Sequence, residues 1–356
     1  MALFEKMLSS EESLFKNELV LDFSFMPKVI PFRETQQRFV ASCIQPLFQK
    51  RNGKNVFVFG PPGVGKTVAL KHVVGELEEQ TEEIIPLYLN CWQKNSTFKI
   101  YVELCEQLGY PYTQNKGTED LFKVVKNQLN KRSAVLVFDE IDKVEDMDFL
   151  YAILEEVFRK SIIVVTNYPD WLQGVEERVR SRLMLQQLEF KPYNAQETRG
   201  ILQQRVEHAF FPDVVQPDAF EAVLMQAVEK GDIRIGLTLL REAGMIAEDK
   251  ASRKISGEHV KEAMGKFAQV AFGSSKDLDG DMQMAISLIQ KNGSVKMGDL
   301  FEHYQKAGGK SAYRTLARKI NKLGELHFLD LEKKEGGSEG TTTIVSCPKE
   351  KKLSEF

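Results

Sequence analysis

The sequence predicts an α/β protein: a parallel sheet covered by helices, then an all-helical segment, then a small terminal domain of helices and a hairpin. Three observations carry this. Four short runs, Asn55–Phe59, Ile84–Leu89, Ala134–Phe138 and Ile162–Thr166, are apolar almost throughout, as strands buried on both faces of a parallel sheet are. Helical patterns lie before and between them, at Thr35–Phe48, Thr67–Glu79, Phe98–Leu108, Thr118–Leu129 and Leu150–Phe158. From Asn194 onward the pattern becomes helical only, until two strand-like runs, Phe328–Glu332 and Thr341–Val345, close the chain. The expected division is therefore 1–190, 191–270 and 271–356.

The helical segment carries its own punctuation. Asn194 and Glu197 have the spacing of a capping box, opening a helix to about Phe210. Pro217 suits the first turn of the next helix, and Ser256 suits the cap of a fourth. Gly273-Ser-Ser275 reads as a linker. Beyond it, helices near Met282–Gln290, Met297–Lys306 and Ser311–Leu323 precede the two strands, which Gly336–Gly340 joins. Three helices and a hairpin in so short a stretch form a winged-helix pattern.

Composition narrows the class. The chain has 356 residues, 42% of them hydrophobic and 28% charged, which excludes a disordered or collagen-like protein. The net charge of −3 argues against coating nucleic acid by bulk basicity. Cys43, Cys91, Cys105 and Cys347 are scattered, without the density of a disulfide framework or the spacing of a zinc site. They read as small buried apolar groups. No uncharged apolar run approaches about 18 residues, and the first residues lack the pattern of a secretory leader. A soluble, cytoplasmic protein of a reducing compartment is expected, with no membrane partner.

Gly60-Pro61-Pro62-Gly63-Val64-Gly65-Lys66-Thr67 fits the phosphate-loop pattern and sits between a strand and a helix, followed by Val68. Its glycines let backbone N–H groups curl around phosphates at a helix N-terminus. Lys66 is expected to reach the β- and γ-phosphates of ATP or ADP, and the Thr67 hydroxyl to bind Mg²⁺. Asp139-Glu140 ends the third apolar run. Asp139 is placed to hold Mg²⁺, and Glu140 to orient and deprotonate an attacking water. Asn167 ends the fourth run, where it can lie between those acids and the γ-phosphate; an Asn opening the turn before Pro169 is the less favoured alternative. Arg178 and Arg182, on a short polar segment, suit an arginine finger offered to a neighbouring subunit. Arg234, at the start of a later helix, can sense the γ-phosphate.

This order of motifs resembles that of AAA+ ATPases, and finer strings resemble the archaeal origin-recognition and cell-division-control initiators. Ile30-Pro-Phe-Arg-Glu34-Thr-Gln is similar to the segment that opens those proteins near the adenine. Leu89-Asn-Cys-Trp-Gln-Lys-Asn-Ser-Thr-Phe98 is similar to their strand and initiator-specific insertion. Gly231-Asp-Ile-Arg234-Ile-Gly-Leu-Thr-Leu-Leu-Arg-Glu-Ala-Gly244 resembles their second sensor, and Glu176-Glu-Arg178-Val-Arg-Ser-Arg182-Leu their arginine-finger box. Gly60-Pro-Pro-Gly63 is closer to clamp-loader phosphate loops, and Ser-Arg182 stands where many relatives have Ser-Ser. Arg178 and Arg182 both stay open as the finger, with Arg182 favoured. The resemblance implies an AAA+ core with an all-helical lid and a C-terminal winged helix. It implies an ATP-dependent initiator that binds double-stranded origin DNA through the winged helix and the inserted helix. Such a protein helps recruit or load a replicative helicase, works with other initiator subunits, hydrolyses ATP slowly as a switch, and sits in the cytoplasm at the nucleoid. The alternatives are a signalling or transposition-type ATPase whose winged helix binds protein, and a clamp-loader-like subunit.

The residues themselves give the DNA argument. Lys310, Arg314, Arg318 and Lys322 recur every four positions, with Ala312, Leu316, Ile320 and Leu323 on the opposite side. One face is basic and the other apolar, which suits a helix docked in a major groove. Lys333 and Lys334 stand at the base of the glycine-rich wing, and Lys94 and Lys99 flank the inserted helix. By segment the net charge is −4 over 1–190, −1 over 191–270 and +2 over 271–356. The weakly acidic whole thus conceals one local basic surface.

Overall fold

The computed structural model describes residues 13–273, 280–309, 311–325, 329–336 and 340–346. The chain divides into two compact units between Met264 and Gly265. In the first, the order is α1 (Glu34–Ile44), β1 (Val56–Phe59), α2 (Lys66–Gln80), β2 (Ile84–Asn90), α3 (Thr97–Gln107), α4 (Thr118–Leu129), β3 (Ser133–Asp139), α5 (Asp148–Glu156), β4 (Lys160–Thr166), α6 (Glu177–Leu183) and β5 (Gln186–Glu189). The strands form one parallel sheet in the order β2-β3-β4-β1-β5.

Alternation along each strand sorts side chains to two faces. Phe57, Leu136, Phe138, Ile162 and Val164 pack with residues of α3, α4 and α5 on one side. Val56, Val58, Val135, Val137, Ile163 and Val165 pack with α1 and α2 on the other. Every residue of β3 is buried. The edge strand β5, Gln186-Gln-Leu-Glu189, is mostly exposed, and the apolar runs gave no sign of it. The helix expected to reach Phe48 stops at Ile44 and continues as a 3-10 turn over Gln45–Gln49. Pro46 explains the change, because it has no N–H to donate and its ring crowds the preceding turn.

Four helices follow: α7 (Ala195–Ala209), α8 (Pro217–Lys230), α9 (Ile233–Asp249) and α10 (Gly257–Gly273). The Asn194–Glu197 capping box is formed, and Pro217 is in the first turn of α8. Leu202, Val223, Leu240, Ala243 and Val260 make their shared core. Leu14, Val20 and Leu21 also belong to it, and the N–H groups of Lys16 and Asn17 bond to the Ala209 carbonyl. The chain's first described segment thus packs with the helical bundle, not with the sheet that the sequence division grouped it with. Gly273 ends α10, and Ser274 and Ser275 of the expected linker lie outside the described residues.

The second unit contains α11 (Gly280–Asn292), β6 (Val295–Lys296), α12 (Met297–Lys306), α13 (Tyr313–Glu325), β7 (Asp330–Gly336) and β8 (Gly340–Ser346). Its antiparallel sheet runs β6-β8-β7. This is the element order of a winged helix, with the two-residue strand β6 added to the expected hairpin. Ala285, Ile289, Leu300, Tyr304, Leu316, Ile320 and Leu323 form its core. Among the described residues, no helix is long and apolar enough to cross a membrane.

Candidate nucleotide site and candidate nucleic-acid interface

The phosphate loop joins β1 to α2 and needs backbone that only glycine adopts easily: Gly63 and Gly65 have φ of +75° and +86°. The turn places Lys66 on the first residue of α2, where it is only 7% exposed. Its Nζ donates to the carbonyls of Gly60 (2.7 Å) and Pro61 (2.8 Å) and to Asn167 Oδ1 (2.7 Å). Burial pushes the Lys66 ammonium down to about 8, and nearby Arg234 adds to the fall while Asp139 and Glu140 oppose it. A buried cation surrounded by acceptors is ready for an anion, because its desolvation has been met before the ligand arrives.

Asp139 ends the buried β3 and is 3% exposed. Thr67 Oγ1 donates to its Oδ2 at 2.6 Å, and the Tyr88 hydroxyl donates to the same oxygen. A hydroxyl beside a carboxylate is the hard-oxygen pair that Mg²⁺ accepts when phosphate and water complete its shell. Among the described residues, no group of three or more His, Cys, Asp and Glu is placed to hold a metal. A cation here must therefore draw on that pair and on ligand oxygens. Glu140 follows in a left-handed conformation (φ 55°, ψ 44°), a costly backbone for a non-glycine residue. Burial, then Asp139 and Asp142, raise its carboxyl above the usual range, which brings it toward the pKa of a general base.

These residues line one cleft of about 250 Å³, together with Pro62–Val68, Asn167 and Arg234. Gly60 and Pro61 serve it through the carbonyls that hold Lys66. Arg234, in the first turn of α9, gives Nε and Nη2 to the Asp232 carboxylate, the latter at 2.7 Å. Arg178 and Arg182 are not brought to the cleft. They lie on α6 with both guanidinium groups 5.1 Å from the Tyr151 ring. Arg178 pairs with Glu176 and Asp148, and Arg182 pairs with Glu155.

Several contributors were not singled out from the sequence, although Ile233 and Leu237 fall within the second-sensor string and Arg33 within the opening one. Asp22, Phe23, Arg205, Ile233 and Leu237 also line the cleft. Arg33 is 4% exposed and bonds the carbonyls of Val64 (3.0 Å) and Lys191 (2.7 Å), with its guanidinium 3.9 Å from the centre of the Tyr193 ring. It ties the phosphate loop to the connection between β5 and α7. The string Pro31-Phe-Arg33 was the only sequence signal, and it pointed to the base, not to this tie.

In the second unit, Arg314 and Arg318 are exposed on α13 while Leu316, Ile320 and Leu323 are buried. Ala312 does not share that apolar face: it is exposed and precedes the helix, which starts at Tyr313. Lys319 turns inward to Asp281 at 2.5 Å. Lys310 lies outside the described residues, and Lys322, Lys333 and Lys334 are placed only by backbone, on α13 and β7. In the first unit, Lys94 pairs with Glu103 at 3.0 Å and Lys99 donates to Asn95 at 2.8 Å. The start of α3 is held by Thr97 and Asn95 to Asp146 and Glu145. Cys43, Cys91 and Cys105 are buried free thiols, and Cys347 lies outside the described residues.

Residues 49–167 match the AAA domain family, and residues 199–265 match the Cdc6 AAA+ ATPase-type lid domain. The ORC1-type DNA replication protein of Pyrococcus furiosus is 31% identical over 335 residues, covering 85% of this chain and 78% of that one. The chain belongs to the ORC1-type DNA replication protein family. ORC1-type DNA replication protein 2 of Methanosarcina acetivorans is 28% identical over 95% of this chain and 94% of its own. The fold is similar to that of the Aeropyrum pernix ORC1 protein in complex with DNA, with a TM-score of 0.75 at 25% identity, over 96% of this chain and 94% of that one. The AAA domain and the Cdc6-type lid identify an AAA+ ATPase of replication initiation.

Proposed function

We propose that this protein is an ATP-switched initiator that binds double-stranded origin DNA and helps recruit or load a replicative helicase. The observation that carries the reading is the convergence of Lys66, Thr67, Asp139, Glu140, Asn167 and Arg234 on one cleft. Phosphates seat against the N–H groups of Gly63–Thr67 and the Lys66 ammonium. Mg²⁺, held by Thr67 and Asp139, supplies charge neutralisation at the phosphates. Glu140 takes the proton of the attacking water, Asn167 positions Lys66, and Arg234 reads the terminal phosphate. Arg178 or Arg182, exposed on α6, reaches a neighbouring subunit's nucleotide. One active site with its finger supplied in trans hydrolyses slowly alone, so ATP acts as a switch.

DNA contact is assigned to Arg314, Arg318 and Lys322 on α13, with Lys310 before it. Lys333 and Lys334 at the wing, Lys94 before α3 and Lys99 in its first turn add to it. The Aeropyrum pernix ORC1 protein was solved with DNA, which supports this. Such contacts hold phosphates more than they read bases. The proposed working parts are a core at 1–190, whose first described residues Leu14–Leu21 pack with the lid, a lid at 191–270 and a winged helix at 271–356, in a cytoplasmic, nucleoid-associated protein. Genomic footprinting tests the reading: occupancy concentrated at one or a few replication origins is expected, and diffuse or absent occupancy overturns it.

A further inference from the structure

Asp232 has no part in the chemistry above, yet it touches two elements that do. It caps α9, accepting the Arg234 N–H at 2.9 Å. The same carboxylate takes the Arg234 side chain, with Nε at 3.0 and 3.1 Å and Nη2 at 2.7 Å. The same carboxylate lies against the phosphate loop, where a Cβ at Gly63 would collide with both of its oxygens. Only 17% of the Asp232 side chain is exposed. One anion thus sits between the loop that holds phosphates and the arginine placed to read the last of them.

We propose that Asp232 determines nucleotide specificity, by competing with the terminal phosphate of a nucleoside triphosphate for Arg234. The inference rests on the nucleotide reading of the cleft. Charge-assisted bonds of this kind are among the stronger ones a side chain makes. A triphosphate gains Arg234 only by taking it from Asp232. A diphosphate ends short of the arginine and leaves the pair whole. The cost falls on one nucleotide alone, so Asp232 lowers the preference for ATP over ADP and eases the return to the ADP state.

The test is calorimetric titration of the full chain with ADP and with a non-hydrolysable ATP analogue, both with Mg²⁺. Asp232→Ser and Asp232→Asn remove the charge but keep a side chain able to cap a helix. Both are expected to raise the triphosphate-over-diphosphate preference by about threefold to tenfold. With Arg234→Ala as background, the same substitutions should leave the preference unchanged. That background separates competition for the arginine from simple loss of a negative charge near the phosphates. An unchanged preference in both single variants overturns the proposal, as does an equal shift with and without Arg234. Failure of the unmodified protein to bind either nucleotide overturns the reading of the cleft itself. A cap with only a structural role would move the melting temperature and leave the nucleotide ratio alone.

Discussion

The nucleotide cleft and the basic helix α13 are both built from charged side chains, and they use charge in opposite ways. In the cleft the charges are answered from within: Lys66 by two carbonyls and Asn167, Asp139 by Thr67 and Tyr88, Arg234 by Asp232. On α13, Arg314 and Arg318 are exposed, and among the described residues neither has an ion-pair partner. Charges bonded to one another, buried like Lys66 and Asp139 or exposed like Arg234, are preorganised and act as a unit, so their substitutions are large in effect and not additive. Exposed charges without such partners act through solvent, so theirs are smaller, additive and sensitive to salt.

The sharpest way to break that contrast is at Glu140. Glu140→Gln keeps the size and removes the base, so ATP turnover should fall by about 100-fold or more while nucleotide affinity changes little. Single-turnover hydrolysis and equilibrium binding on the same preparation check it. Undiminished turnover removes Glu140 as the water-activating group.

The next effect belongs to the helix. Arg314→Ala with Arg318→Ala should weaken DNA binding by about tenfold to 100-fold at low salt and reduce the logarithmic salt slope by about two. Each single change should give about half of the double's loss in free energy. Unchanged affinity, or strong non-additivity, would place α13 outside the DNA contact or make it another coupled site like the cleft.

The same contrast governs what was legible in the sequence. The buried strands and the phosphate loop were readable because burial on both faces demands apolar runs, and phosphate binding demands fixed glycines. The exposed edge strand β5 was not, since Gln186-Gln-Leu-Glu189 has no core to face on most positions. Ala312 was misassigned because periodicity extends an apolar stripe past the real helix start at Tyr313. Arg33, Asp232 and Arg205 escaped for another reason. Their meaning lies in partners that only the tertiary fold supplies: Val64 and Lys191 for Arg33, Gly63 for Asp232, and the Val20 carbonyl for Arg205. A polar residue bonded across the fold looks, in sequence, like any surface residue.

A pH titration separates the two regions at a smaller scale. Lys66 titrates near 8, below the ordinary lysine value of 10.5, so it is charged below pH 8 and loses its proton above. Nucleotide affinity should fall by up to about tenfold between pH 8 and 9.5, whereas the share of DNA affinity carried by Arg314 and Arg318 should stay level. In the nucleotide-free protein the sign reverses. The unfolded chain keeps the Lys66 proton up to 10.5 while the folded one has released it, so this group makes stability rise with pH between 8 and 10.5. Lys66→Arg should flatten both profiles, measured by titration and by chemical denaturation. A level affinity profile in the unmodified protein would mean that Lys66 stays charged throughout.

The smallest effect tests whether the cleft is a unit at all. Tyr88 and Thr67 donate to one oxygen of Asp139, so Tyr88→Phe leaves that buried carboxylate one donor short while keeping the ring. Loss of one such bond costs about 1 kcal/mol of stability, and Thr67 remains to orient the carboxylate, so turnover should change by less than about threefold. The informative measurement is the pair. Thr67→Ala alone removes a proposed Mg²⁺ ligand, and once it is made, a further Tyr88→Phe strips Asp139 of its last side-chain donor. In a coupled site that second step costs more in the Thr67→Ala background than alone. Equal costs in both backgrounds would show that the Asp139 cluster behaves like the exposed arginines of α13, as independent charges that happen to be buried.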